Sequence, residues 1–232
     1  MENNSLRSSH DNDVHWAISH GVDVLPHIYD DNISIAIWQR ALSEEVTCYV
    51  DTLLQGTTKI ALKLSGTPTI FDKALKTIFP DIHVNQTVLS SAQLIDDILL
   101  VIDMFSCLFD TANVGLRINT LEQSMCPRFH VDHVPVRLIT TYGGAGTEWL
   151  PDAYADRTKL GPHIKRTNNS ECDVMIQENK IQQLNAGDVA LMKGEKWDGN
   201  EGRGLIHRSP HSASTSTKTN VRRLLITCDL VN

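Results

Sequence analysis

Apolar and polar residues alternate from Asn32 to Gln39, with Ile33, Ile35 and Ile37 on one side, and a period of two predicts a strand. Lys59 to Leu64 alternates in the same way. Between them Ser43-Glu44-Glu45 opens a helix that runs to about Gln55. Ser43 is its cap, and the two glutamates sit at the positive end of the helix dipole. Thr69 to Phe79 has helical spacing until Pro80 ends it. The longest helix is predicted from Ser90 to about Thr111, where Leu94, Ile98, Val101, Phe105 and Leu108 recur on one face. Residues 1–12 are polar and are expected to form a disordered tail.

After Asn113 the texture changes to short β-rich runs punctuated by Gly, Pro, Asn and Asp. Strands are expected at 115–121, 129–131, 136–142, 147–150, 172–176, 189–192, 204–206 and 221–228. Many short strands with turns between them imply a sandwich or barrel rather than a parallel sheet. The polar segment Asp152–Glu171 reads as a long loop or lid, and Ser212–Asn220 as a second loop. Gly143-Gly144-Ala145-Gly146 reads as a tight hairpin, because no helix or lysine follows at the offset a phosphate loop needs. The expected class is α+β, a single compact unit over 13–232. In it the helices and strands of 13–112 form a layer packed on a C-terminal β-barrel of 113–232.

Composition narrows the function. The 232 residues carry 21 Lys+Arg against 28 Asp+Glu, a formal net charge of −7. That balance opposes a nucleic-acid backbone binder, since no basic face offsets phosphate repulsion. The most apolar stretch, Leu94–Phe109, contains Asp96, Asp97 and Asp103, which argues against a membrane span. The start has no basic segment followed by an apolar run, so no secretory signal and a cytoplasmic home are expected. Five scattered cysteines without a C-x-x-C pattern indicate neither a disulfide framework nor a zinc knuckle. There is no G-x-S-x-G, and residue order supports no Ser-His-Asp triad.

The informative stretch is Cys126-Pro-Arg-Phe-His130-Val-Asp132-His133. On a strand, residues two apart project to one face, so His130 and Asp132 present an imidazole and a carboxylate side by side. Gly204-Leu-Ile-His207-Arg-Ser-Pro210 offers a distant third ligand, with His211 as its alternative. Two histidines and one carboxylate on a triangle leave positions open, which suits non-haem Fe(II) chemistry. Arg222 and Arg223 head the last strand, and alternation lets only one of them point inward, where a bidentate fork could hold a carboxylate. Arg117 and Tyr142 are further candidates for cofactor contact. His133 has the opposite parity to Asp132 and reads as exposed or behind the ligands. Cys126 reads as a buried small hydrophobe, although as a soft ligand it would favour zinc. Glu148 and Trp149 could line the barrel mouth, and His163, Lys165 and Arg166 lie in the long loop. His10, His15, His20 and His27 show no ligand spacing and receive no role.

This order, H-x-D, then a distal His, then an Arg on the last strand, resembles the Fe(II)/2-oxoglutarate-dependent dioxygenases over the C-terminal half of the chain. The longer string from Cys126 through Arg137-Leu-Ile-Thr-Thr-Tyr142-Gly-Gly-Ala-Gly-Thr147-Glu148-Trp149-Leu150 also resembles a bacterial domain-of-unknown-function family whose genes often lie near zinc-responsive ones. The first resemblance implies a double-stranded β-helix (cupin-like jelly roll). It also implies Fe(II) and 2-oxoglutarate as cofactors, with His130, Asp132 and His207 as metal ligands. Arg223, with Arg222 as the neighbouring alternative, would hold the far carboxylate of 2-oxoglutarate. The gap from His207 to Arg223 is longer than that pattern usually shows. The second resemblance implies a non-catalytic protein holding Zn(II). A small-molecule or peptide substrate is expected and no nucleic acid or membrane partner, with the oligomeric state left open.

Overall fold

A computed structural model describes residues 14–160, 174, 177–210 and 222–231. In chain order the strands are β1 (Trp16–Ser19), β2 (Ile35–Trp38), β3 (Ala61–Gly66), β4 (Ile82–Val84), β5 (Thr87–Leu89) and β6 (Val114–Leu121). They continue as β7 (Val136–Gly143), β8 (Glu148–Leu150), β9 (Gln182–Gln183), β10 (Val189–Lys193), β11 (Ile206–Arg208) and β12 (Arg223–Leu230). The α-helices are α1 (Glu44–Gln55), α2 (Pro68–Ile78) and α3 (Ala92–Leu108). Each lies where the apolar period places it. Ser43 caps α1 by accepting the Val46 N–H at 3.2 Å. The proline at the start of α2 costs no hydrogen bond, because a first-turn N–H has no intrahelical partner.

Seven strands form one mixed sheet in the order β1-β2-β10-β7-β12-β6-β3, and β11-β8-β9 form a second. A strand buried on both faces can be apolar at consecutive positions, which accounts for the run Leu224-Leu225-Ile226. On one face Leu116, Ile118, Leu138, Tyr142, Leu224 and Ile226 pack against Tyr49, Phe71, Ile98 and Phe105 of the helices. On the other, Ile37, Ile139, Met192 and Leu225 pack against Trp149 and Leu205, which reach in from the smaller sheet. Among the described residues no helix is long and apolar enough to cross a membrane.

Several expectations change. First, residues 13–112 do not form a layer of their own. Their strands β1, β2 and β3 extend both edges of the sheet that β6, β7, β10 and β12 build, β4 and β5 pair with each other, and the helices lie over the large sheet. Second, Gly143–Gly146 is no hairpin, because β7 belongs to the large sheet and β8 to the small one. The chain crosses between sheets there. Gly144 has φ +82°, and a Cβ on Gly146 would stand 2.0 Å from the Leu184 carbonyl oxygen, so close backbone approach explains the glycines. Third, the strand expected at 129–131 is a single antiparallel bridge, His130 to His207. Residues 152–160, expected as plain loop, make short 3-10 turns at Asp152–Tyr154 and Arg157–Lys159. The tail at 1–12, the loop at 212–220, and the strand at 172–176 apart from Val174 lie outside the described residues. So do His163, Lys165, Arg166 and His211.

Candidate metal centre

Backbone pairing brings the two histidines together. β11 pairs on one side with β8, and on its other side His207 exchanges both backbone hydrogen bonds with His130, each at 3.0 Å. Their rings then lie 4.5 Å apart, centroid to centroid. Asp132 follows two residues on, in a segment held by the Glu195 N–H to the Asp132 carbonyl at 2.9 Å and the Lys196 N–H to the Val134 carbonyl at 3.2 Å. The Asp132 carboxylate lies 3.4 Å from His207 Nε2 through Oδ2 and 3.8 Å from His130 Nε2 through Oδ1. One donor atom from each of the three residues falls within 4.8 Å of the others, a spacing that one metal ion can span.

The imidazoles are oriented for ligation. His130 Nδ1 lies 2.9 Å from the Arg128 carbonyl, and His207 Nδ1 lies 3.0 Å from the Leu205 carbonyl. A carbonyl only accepts, so each Nδ1 carries the proton and each Nε2 keeps its lone pair facing Asp132. Burial, reinforced by the neighbouring His207, lowers the His130 pKa below its ordinary value and favours the neutral ring. Burial alone would raise the Asp132 carboxyl. A proton on His207 Nε2 would give a hydrogen bond and a charge that, with the charges of Arg137 and His130, outweigh it and hold the group well below the carboxylate range.

Both shifts have the same sign for stability. Around the ordinary histidine value of 6.5 the unfolded His130 binds a proton that the folded ring refuses, and near 3.8 the unfolded Asp132 does the same. Each contribution is therefore complete above the unfolded value and is lost as pH falls through the folded one. The metal-free protein is expected to melt at progressively lower temperature below about pH 6.5. His130→Gln should flatten the upper part of that profile, and thermal melts between pH 7 and 3 check it.

Behind Asp132 lies a charge network that reading the sequence missed. Arg137 Nη1 donates to Asp132 Oδ2 at 2.5 Å, while its Nε and Nη2 grip Asp229 at 2.7 and 3.1 Å. Arg117 Nη1 donates to Asp229 from the other side. Arg117 is therefore engaged by Asp229 rather than aimed at a cofactor. The signal that could have found the network is Asp229, a lone carboxylate closing an apolar strand, with register partners Arg137 on β7 and Gly115 on β6.

The other candidates separate by strand parity. Arg223 lies on the face of β12 that also carries Asp229. It is buried, and its Nη2 donates to Ser209 Oγ at 3.0 Å. Its Nη1 is buried with no partner among the described residues, and burial lowers the guanidinium to about 10, so it stays cationic at neutral pH. Arg222 points away and donates to the carbonyls of Gly56 and Thr58. Tyr142 also faces away, toward the helices, where its hydroxyl donates to Asp97 at 2.6 Å and Arg40 grips the same carboxylate. His133 is exposed. Cys126 is exposed too, not buried as expected, while its backbone exchanges hydrogen bonds with Ser209. Trp149 is packing, and Glu148 accepts from Arg208 Nε at 2.6 Å.

The profile of the family described as Protein of unknown function (DUF1826) matches residues 19–229, and the chain belongs to that family. No curated protein matches the sequence. Among solved structures, one described as a selenomethionine-labelled Fe(II)/(alpha)ketoglutarate-dependent dioxygenase, TqaL, is similar with a TM-score of 0.38 and 9% identity. That match covers 82% of this chain and 75% of the other.

Proposed function

For this member of the DUF1826 family we propose a mononuclear non-haem Fe(II) oxygenase that uses 2-oxoglutarate and acts on a small-molecule or peptide substrate. The observation that supports it most directly is the triad. Two imidazole Nε2 atoms, their Nδ1 sites already occupied, converge with one carboxylate. Such a set holds a divalent ion on one side and leaves the other side open. Fe(II) with 2-oxoglutarate supplies, when bound, oxidation of a substrate C–H bond coupled to decarboxylation of the cosubstrate.

The chain's own residues have assignable parts in this reading. His130, Asp132 and His207 hold the metal. Arg223, with an unanswered donor beside the Ser209 hydroxyl, receives the far carboxylate of 2-oxoglutarate. A buried cation without a carboxylate is costly, so an anionic ligand at that point relieves it. Ile139 and Leu225 present apolar side chains on the same inner face. A double-stranded β-helix is also supported by chain order. From β6 onward the chain visits the large sheet, His130 beside the small sheet, then β7 in the large and β8 and β9 in the small, then β10, β11 and β12 in alternate sheets.

The same three donors would suit Zn(II) held without catalysis. The unpartnered Nη1 of Arg223 favours the cosubstrate reading, because a metal store needs no carboxylate receptor. Anaerobic addition of 2-oxoglutarate to the Fe(II)-loaded protein is expected to produce a visible charge-transfer band. Arg223→Ala should weaken 2-oxoglutarate binding by about 30-fold or more, the effect of about 2 kcal/mol for truncating a buried charge partner. Arg222→Ala should leave it unchanged. Iron that binds at the triad without any response to 2-oxoglutarate would leave the zinc reading in its place.

A further inference from the structure

Asp132 does not sit on a strand with a ladder on both sides. It lies between a single backbone bridge at His130 and the start of β7, and the Glu195 N–H that holds its carbonyl does not fix the direction of its side chain. What restrains it is Arg137. On the reading that the triad holds a divalent metal, we propose that Arg137, itself aimed by Asp229, is a positioning residue that orients Asp132 for ligation.

Arg137 stands on β7, paired with β10 through Met192 on one side and with β12 through Asp229 on the other, so its backbone is among the best supported in the sheet. Its planar guanidinium has one edge committed to both oxygens of Asp229 and a third donor extended to Asp132 Oδ2. The two-point grip fixes the plane and direction of the fork, and the fork fixes the carboxylate. Arg117 adds a second cation to Asp229, so charges alternate along Arg117, Asp229, Arg137 and Asp132, and none is left unpaired. Engaging Oδ2 leaves Oδ1 as the less encumbered oxygen to ligate. The site is thus ordered before a metal arrives, and the entropy of orienting the carboxylate is already spent.

A lysine cannot reproduce this arrangement, because one ammonium lacks the fork that meets two carboxylates in fixed directions. Partners of this kind behind a metal ligand contribute about 10–100-fold in metal affinity.

The test is Co(II) titration of the full chain, read by the visible absorption of the bound ion and by its affinity, with thermal melts of each metal-free variant. Arg137→Met is expected to lower Co(II) affinity by about 10–100-fold and to alter the absorption band. Arg137→Lys should recover part of the affinity but not the native band. Asp229→Asn should shift both readouts in the same direction, although that side chain does not touch Asp132. It also keeps the test decisive if Arg137→Met does not fold. His133→Ala, an exposed neighbour, should match the wild type. A folded Arg137→Met or Asp229→Asn protein with a lower melting temperature but wild-type affinity and band would overturn the proposal, leaving Arg137 a tie between strands. If the wild type itself binds Co(II) no better than His130→Ala, the triad reading fails and this inference falls with it.

Discussion

His207→Ala is expected to remove metal binding while leaving the fold intact. The substitution deletes one of three donors, a loss of about 10²–10³-fold in affinity if each ligand contributes its share of the ~10–16 kcal/mol seen for four-ligand sites. The fold should survive because residue 207 joins His130 through its backbone N–H and carbonyl, which alanine keeps. The side chain's other bond, Nδ1 to the Leu205 carbonyl, is local. Calorimetric titration with Fe(II) or Co(II) measures the affinity, and succinate release from 2-oxoglutarate measures turnover. Release at the wild-type rate from a folded His207→Ala protein would end the oxygenase reading. The comparison is sharpest against Arg222→Ala, which alters the last strand on its opposite face and should behave as wild type in both measurements.

Phe105→Ala is expected to produce the largest loss of stability, about 3–5 kcal/mol, from lost apolar transfer and the cavity left behind. Phe105 is 1% exposed, and its ring lies 4.8 Å from that of Phe109 inside the helix layer. Against a total stability of about 5–15 kcal/mol, such a loss is a large fraction and should be plain in urea unfolding. The helices cover the sheet face opposite the triad, so the folded fraction should bind metal with unchanged affinity. A change below about 1 kcal/mol would mean that α3 is not packed as described. A matching loss of metal affinity would mean that the two faces of the sheet are coupled.

The helices were readable along the chain because their determinants are local. A serine cap, an apolar period and a stopping proline act within a few residues. The rule that Arg222 and Arg223 cannot both face inward was readable for the same reason, whereas His130 and Asp132 come together beside a single backbone bridge and not through the strand parity expected of them. The rule for the two arginines does not say which of them faces inward. The structure chooses Arg223, since Leu224, Ile226 and Cys228 join the helix-covered core and leave Arg223 with Asp229 on the other face. Tyr142 goes to the helix side by the same alternation, together with Leu138.

What the chain determined by itself was the three α-helices and the phase of the long strands, though not the short strands β1, β4, β5 and β9. What only the tertiary structure decided was opposition across long separations. It set His207 against His130, Asp229 against Arg137, and β1 and β3 at opposite edges of one sheet. Local sequence governs backbone dihedrals and side-chain phase, whereas register between distant strands depends on how whole faces are buried together. The Gly143–Gly146 crossing shows the difference. Its glycines announce tight backbone, but only the packing of two sheets makes it a passage between them instead of a turn within one.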